Sequence, residues 1–338
     1  MILTLTPNPS LDRTVTLPGP LQRGAVNRLE TVTVEPGGKG VNVARVLACS
    51  GQAATALLPA AGHDPLLGAI ADLALPGLTA LPVSVGAAAR VNTAVTEPDG
   101  TTTKINEPGA GLAPQEVEAV EQALLAALGG SAPGLPESSN GPGAGEPSWA
   151  VLSGSLPPGV PVDWYAHLVD LLRPLGVRIA VDTSDAPLAA LAAALPGSAP
   201  DLIKPNGEEL AQLAGTGATD LEEAAVAGDL APVAAAARVL VELGVGAVMA
   251  TLGPAGAVLV TPEGAWHATA PEVPVVSTVG AGDSSVAGYV LADVQGGDEA
   301  QRLRTAMAYG SAAASLPGTA LPVPSDLPQE PARVTPLT

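Results

Sequence analysis

The chain has 338 residues, 47% of them hydrophobic, so it can bury a large core; with no Phe and only 2% aromatics, that core must be built from Ala, Val and Leu. Fourteen basic residues stand against 33 acidic ones, a formal charge of −19, which argues against a nucleic-acid or anionic-membrane surface and means that cations serving an anionic ligand must be gathered locally. The single Cys49 excludes an internal disulfide and a cysteine zinc cluster, and the lack of a secretory leader or a membrane-spanning apolar run leads us to expect a soluble, cytoplasmic protein.

Residues 1–6 read as a strand, and TPNPSLD (6–12) turns out of it. Residues 13–35 alternate, with turn signals at Pro18-Gly19-Pro20. PGGKG then opens a helix whose Val43, Val46 and Leu47 share a face and whose Gly51 is a stop. RVNTAVTEPDGTTTKINE (90–107) reads as a hairpin turning at Asp99-Gly100. Beyond it the spacing predicts helix 114–128, strand 149–153, helix 161–175, strand 177–182, helix 186–195, strand 201–204 and helix 207–214. Helix 231–243, strands 246–251, 256–260 and 265–269, and helices 283–294 and 299–315 follow. Such β/α alternation implies a mostly parallel sheet covered on both sides. Segments 13–35 and 90–107 fall outside the alternation and suggest a small β lid. The Gly/Ser/Pro-rich run 129–148 reads as a long flexible surface loop, and the tail after about 320, with five prolines, as poorly ordered.

The most informative segment is STVGAGDSSVAGYV (277–290). Gly280 and Gly282 allow backbone N–H groups to line a small concavity at a helix start, where orphan amides and the helix dipole favour negative charge. A carboxylate there, Asp283, suits a general base that takes a proton from a hydroxyl attacking phosphorus; a plain capping aspartate is the alternative. Only three lysines occur, and each sits in a Gly-, Pro- or Asn-marked motif: Lys39 in PGGKGVN, Lys104 in TKINEPG and Lys204 in IKPNGEE. Gly38, Lys39 and Asn42 could receive a sugar or phosphate at a Gly-rich turn that lacks P-loop spacing. Asp12, beyond the first strand, could accept sugar hydroxyls, or simply cap a turn. Arg90, Asn92, Lys104 and Asn106 lie on the hairpin, where cations could clamp a substrate phosphate. Ser153, in the turn SGSLPPG, could donate to a sugar. Asn206 and Glu209 could organise a hydrated Mg²⁺, or merely favour the helix dipole. Thr251 and Gly253, in TLGPAG, could lie along nucleotide phosphates. His63, His167 and His267 fall in none of these motifs.

In order, TPNPSLD, GGKGVNVAR, ARVN, INEPG, SGSLPPG, KPNGEE, TLGPAG and STVGAGDSSVAG resemble the segments of the ribokinase-like sugar kinases, in their phosphofructokinase-B branch, over roughly residues 1–316. Within that branch TPNPSLDRTV, VNR and INEPG look most like the 1-phosphofructokinases and tagatose-6-phosphate kinases. The resemblance implies an α/β three-layer sandwich with a small β lid, occupying residues 1–320 as one kinase domain. It implies phosphoryl transfer from ATP, with Mg²⁺, to a sugar phosphate: Asp283 as base, the amides of Gly280, Ala281 and Gly282 as anion hole, and Asp12, Gly38, Lys39, Asn42 and Ser153 around the sugar. Arg90 and Lys104 would face the sugar's phosphate; Lys204, Asn206 and Glu209 would serve nucleotide and metal, and Thr251 and Gly253 the nucleotide. Fructose 1-phosphate is the expected acceptor, with tagatose 6-phosphate or fructose 6-phosphate as alternatives. A catalytically silent sugar-phosphate sensor is the reading from a different class. Pairing of two copies through the lid is a further expectation.

Overall fold

Apolar runs without polar alternation can be buried on both faces only in a sheet that helices cover on both sides. The computed structural model describes residues 1–129, 149–215 and 221–337, and among these the chain adopts that arrangement. The 129–148 expectation lies, apart from Gly129, outside the described residues. Seven parallel strands form most of the main sheet: β1 (Ile2–Leu5), β4 (Ala54–Ala60), β5 (Leu78–Ser84), β8 (Trp149–Ser153), β9 (Arg178–Asp182), β10 (Leu202–Ile203) and β11 (Val248–Thr251). The antiparallel strands β12 (Ala257–Thr261), β13 (Gly264–Ala268) and β14 (Val334–Leu337) extend one side, giving the order β14-β13-β12-β11-β10-β9-β8-β1-β4-β5.

Alternation along the strands divides the interior in two. Leu3, Leu5, Leu57 and Leu152 face a core with α3 (Pro114–Ala127), α4 (Trp164–Leu172), α5 (Asp185–Ala193), α6 (Gly207–Leu213), α7 (Leu221–Val226) and α8 (Ala231–Glu242). Ile2, Ala56, Leu58 and Val151 face the other, with α1 (Lys39–Cys49), α2 (Pro65–Asp72), α9 (Ala281–Val294) and α10 (Glu299–Ala314). The three layers follow directly from this division.

A separate four-stranded sheet carries the segments that fell outside the alternation: β2 (Ser10–Thr16), β3 (Thr31–Gly37), β6 (Arg90–Thr96) and β7 (Thr102–Asn106), in the order β3-β2-β6-β7. Its register sets Glu35 opposite Asp12, Asp12 opposite Asn92 and Asn92 opposite Asn106, so these share one face. Lys104, two residues from Asn106, lies on that face as well. Val32, Val34 and Ile105 belong to the opposite face and are about half exposed, at 49%, 51% and 58%.

Three features depart from expectation. The tail is not poorly ordered: Val334–Leu337 pairs along β13, Ala332 is buried, and the strand sits at the sheet edge, where the missing N–H of Pro336 is tolerated. Residues 52–89, which carried no expected element, supply β4, α2 and β5. Helix 161–175 shortens to α4 plus a 3-10 turn at Arg173–Leu175, where Pro174 interrupts the helical bonds.

At the end of the sheet remote from the lid segments, the Asp293 side chain on α9 is fully buried and is approached by polar groups from three elements. Trp149 Nε1 donates to it at 2.8 Å, Arg178 pairs with the same oxygen while its guanidinium stacks over the Trp149 ring, and Arg302 Nε of α10 lies 3.0 Å from the other oxygen. This cluster fixes α9 along its axis against the first residues of β8 and β9. Asp293→Ala, which leaves two guanidinium groups facing an empty site, should cost about 3 kcal/mol in equilibrium urea unfolding. Asp293→Asn, which keeps an acceptor for Trp149, should lose distinctly less.

Candidate active site

In an open α/β sheet the groove beyond the carboxyl ends of the parallel strands is where backbone and side chains converge on a ligand. Here β8, β9 and β11 end at Ser153, Asp182 and Thr251, Thr6 and Lys204 directly follow β1 and β10, and the N-termini of α1 and α9 open onto the same region.

α9 begins with Gly280 in the left-handed region (φ 76°), a conformation that costs a residue with a Cβ. Ser284 N–H closes the first turn onto the Gly280 carbonyl at 2.8 Å, and Ala281 N–H reaches the Thr278 carbonyl only at 3.4 Å. Gly282 and Asp283 stand ahead of the helical bonding ladder, so their amides are available to an anion. A Cβ on Gly282 would come 3.1 Å from the Lys204 ammonium, so the glycine lets that cation approach the helix start.

The Asp283 carboxyl is buried, and Asn42 of α1 donates to its Oδ2 at 2.9 Å. Burial pushes its pKa up to about 6; Lys39 pulls it down, Asp182 pushes it up, and the Asn42 bond and Lys204 pull it down again. A carboxylate of that strength is ionised at neutral pH yet basic enough to take a proton. Sequence reasoning gave Asp182 no role. Its carboxylate, at the end of β9, receives Lys39 at 3.1 Å and Lys204 at 3.5 Å. Burial opposes charge on Asp182, but Lys204 and Lys39 outweigh it and hold the carboxyl below its ordinary range. Burial likewise opposes the Lys39 charge, and Asp182 and Asp283 overcome it, leaving the ammonium firmly protonated. A lone strand-end aspartate in AVDTS has no motif to mark it; its only signal was its place at a strand's carboxyl end.

The remaining expected residues fall into three groups. On the acceptor side, Asp12 Oδ1 takes bonds from Ser10 Oγ (2.7 Å) and Asn92 Nδ2 (3.1 Å), and its carboxylate rests against Gly37, where a Cβ would collide with it at 2.1 Å. Gly38, at φ 104°, caps the start of α1 just before Lys39. Among the described residues the buried Ser153 hydroxyl finds no hydrogen-bond partner, nor does Asp182 Oδ2; both are groups that a bound polyol or water could satisfy. On the lid, Arg90 donates to the Glu107 carbonyl (3.2 Å) and to Ser155 Oγ (3.3 Å), while its buried Nε finds no partner among the described residues. Burial draws the Arg90 guanidinium below its ordinary value, with Asp12 and Glu107 pulling the other way. Lys104 stands exposed on the face that carries Asp12.

On the third side, Asn206 forms an isolated parallel bridge with Thr251, and Thr251 N–H donates to the Pro205 carbonyl at 3.0 Å, bringing Asn206, Thr251 and Gly253 together. Asn206 and Glu209 form a reciprocal capping box: Asn206 Oδ1 accepts from Glu209 N–H (2.8 Å) and Glu209 Oε2 from Asn206 N–H (2.9 Å). Glu209 Oε1 takes no part in that cap, and the Glu209 charge acts on Lys39, so the carboxylate borders the site. Among the described residues, no group of three or more His, Cys, Asp or Glu is placed to hold a metal ion, and no helix is long and apolar enough to cross a membrane.

The model of the pfkB family of carbohydrate kinases matches residues 6–326. The 1-phosphofructokinase of Rhodobacter capsulatus is 38% identical over 96% of this chain and 94% of its own length. The ATP-dependent 6-phosphofructokinase isozyme 2 of Escherichia coli is 34% identical, over 95% and 94%. The crystal structure of phosphofructokinase-2 from Escherichia coli in complex with substrates and products superposes with a TM-score of 0.80 at 32% identity, covering 96% of each chain. The chain belongs to the pfkB family of carbohydrate kinases and has its ribokinase-like fold.

The Asp283 shift has a stability consequence of definite sign. Its folded pKa of about 6 lies above its ordinary 3.8, so between those values the folded state retains a proton that the unfolded state has lost. Stability from this group is therefore full below about pH 4 and lost as pH rises through 6. Asp283→Asn, whose carbonyl can still accept from Asn42, should stabilise the protein by about 2 kcal/mol at pH 8 and hardly at pH 4, read from urea midpoints at both values.

Proposed function

We propose that this carbohydrate kinase transfers the γ-phosphoryl group of ATP to fructose 1-phosphate, giving fructose 1,6-bisphosphate. The observation that carries the reading is the buried Asp283 carboxyl at the start of α9, bonded by Asn42 and set beside the Lys39–Asp182–Lys204 chain. A proton acceptor, amides aimed at an anion and two cations are the parts that phosphoryl transfer requires, since the protein's contribution there is positioning and electrostatics. The high identity to a 1-phosphofructokinase over almost the whole chain supports this choice of acceptor.

In this reading Asp12 and Ser153 accept and donate to the sugar hydroxyls, with Gly38, Lys39 and Asn42 beside them. Arg90 and Lys104 face the phosphate that the acceptor already carries. Asp283 takes the proton of the attacking hydroxyl as its oxygen forms the new P–O bond, and the bond to the ADP oxygen breaks. The amides of Gly280, Ala281 and Gly282 stabilise the charge on the transferring group. Lys204, Asn206, Thr251 and Gly253 line the nucleotide. Glu209, through its Oε1, would hold a hydrated Mg²⁺, which neutralises phosphate charge during transfer; Asn206, expected beside it, has its Oδ1 in the cap and only a donor nitrogen left, so it serves the nucleotide instead. One or two carboxylates suffice for such an ion, so the donor set fits. The half-exposed Val32, Val34 and Ile105 on the lid's far face support pairing with a second copy.

ADP release with Mg-ATP should show a kcat/KM preference for fructose 1-phosphate over fructose 6-phosphate and tagatose 6-phosphate, and preference for another acceptor would reassign the substrate. Asp283→Asn should lower kcat by about 10²–10⁴-fold while acceptor binding persists; unchanged turnover would refute the assignment of the base. In the wild type kcat/KM should fall as pH drops below about 6, because the base is then protonated. Binding without turnover in the wild type would favour the sensor. Arg90→Ala should raise KM for the phosphorylated sugar about tenfold or more with little change for ATP, since only one substrate loses a charge-assisted contact; equal effects on both would remove Arg90 from the phosphate.

A further inference from the structure

Glu35 stands directly across from Asp12 in the β2–β3 pair, on the same face of the lid. Two carboxylates in that register repel, and each is drawn to different donors. Asp12 takes Ser10 and Asn92. Glu35 takes Arg45 of α1 at 3.3 Å through one oxygen and the Thr319 hydroxyl at 2.6 Å through the other. Arg45 also donates to the Pro36 carbonyl at 2.8 Å, so the end of β3 is held to α1. Glu35 is therefore committed to contacts that bind neither sugar nor nucleotide.

Thr319 lies in the segment after α10, and that segment wraps the loop leading into α9. Val276 and Ser277 N–H both donate to the Ala314 carbonyl, at 2.8 and 3.2 Å. Ser277 Oγ donates to the Gly318 carbonyl at 2.9 Å and accepts from Val279 N–H at 3.2 Å. The Leu321 side chain covers Gly280, 3.0 Å from where a Cβ would stand. Gly318 also lies under Thr14 of β2. A continuous path of contacts therefore joins the sheet that carries Asp12 to the turn that presents the α9 amides, and the Glu35–Thr319 bond is its hydrogen-bonded link across the gap, beside the approach of Gly318 to Thr14.

We propose that Glu35 and Thr319 are positioning residues that couple acceptor binding to nucleotide binding. The inference rests on the kinase reading above. An acceptor held by Asp12 restrains β2 and its neighbour β3; through Glu35 and Thr319 that restraint reaches residues 314–321 and the 276–280 turn. The nucleotide then meets amides that are already ordered and loses less conformational freedom on binding. By linkage, the nucleotide tightens acceptor binding by the same factor.

The test is calorimetric titration of full-length protein with the Mg²⁺ complex of a non-hydrolysable ATP analogue, with and without saturating fructose 1-phosphate. In the wild type the acceptor should tighten the analogue. Thr319→Val removes the hydroxyl but keeps the shape, and it should lose roughly tenfold of that enhancement, as expected for a hydrogen bond to a charged group. Thr319→Ser should retain the enhancement, with melting temperatures of all three proteins close together. Glu35→Gln keeps an acceptor oxygen for Arg45 while its amide nitrogen can donate to the Thr319 hydroxyl, so it should lose a smaller part and serves if the Val variant folds poorly. Full enhancement in Thr319→Val, or an affinity loss equal with and without acceptor, would overturn the coupling. A wild type that binds both ligands independently would overturn the coupling alone, whereas one that binds no fructose 1-phosphate would overturn the functional reading with it.

Discussion

The site depends on one act of charge compensation. The chain carries 33 acidic residues and only three lysines, and two of those lysines converge on the single carboxylate of Asp182. Without that carboxylate, Lys39 would lose a main partner that overcomes the burial of its ammonium. With it, Lys39 and Lys204 are drawn together beside Asp283. The basicity of Asp283 then results from opposed influences: burial and Asp182 raise it, while Lys39, Asn42 and Lys204 restrain it. An acidic protein that handles polyanions solves a local problem here that its global charge makes worse.

The scaffold supplies these groups from the sheet itself and from one of the two layers that cover it. α1 and α9, packed on one face, contribute Lys39, Asn42 and Asp283 from their N-terminal turns, while the strand ends contribute Ser153, Asp182 and Lys204. The axial position of α9 is set at its far end by the buried Asp293 cluster, and rotation about the helix is restricted because Gly288 packs against the backbone of Thr305 and Ala306 on α10. Rigid elements fixed at a distance thus determine where the Asp283 carboxyl sits.

Much of this arrangement was legible in the sequence because it is built from punctuated motifs. Gly-rich turns and the Asp99-Gly100 hairpin signal marked α1, α9 and the lid, and β/α alternation gave the layers. What escaped notice did so for physical reasons. β4 (ATALLPA) and β5 (LTALPVS) each carry a proline, Pro59 and Pro82, which argues against a strand unless the position needs no donor, and their alanines carry weak strand preference. β14 was hidden in a proline-rich tail, since nothing local says that Val334 and Thr335 find partners on β13. Asp182 was missed because its significance comes from two lysines distant in sequence, and Glu209 read either as a ligand or as a residue favouring the helix dipole because a first-turn carboxylate suits both; it forms a capping box while bordering the site.

The strand order also bears on how the chain is made. β1 lies between β4 and β8, so its two neighbours arrive at very different times during synthesis. Once residues 54–60 have emerged, β1 can pair on one side, but its other edge stays open until Trp149–Ser153 follows. Through that interval a nascent chain displays a flat, apolar parallel edge, the kind of surface that templates intermolecular pairing. The residues most exposed to misassembly are therefore those of β1, an interior strand that waits longest for its second neighbour.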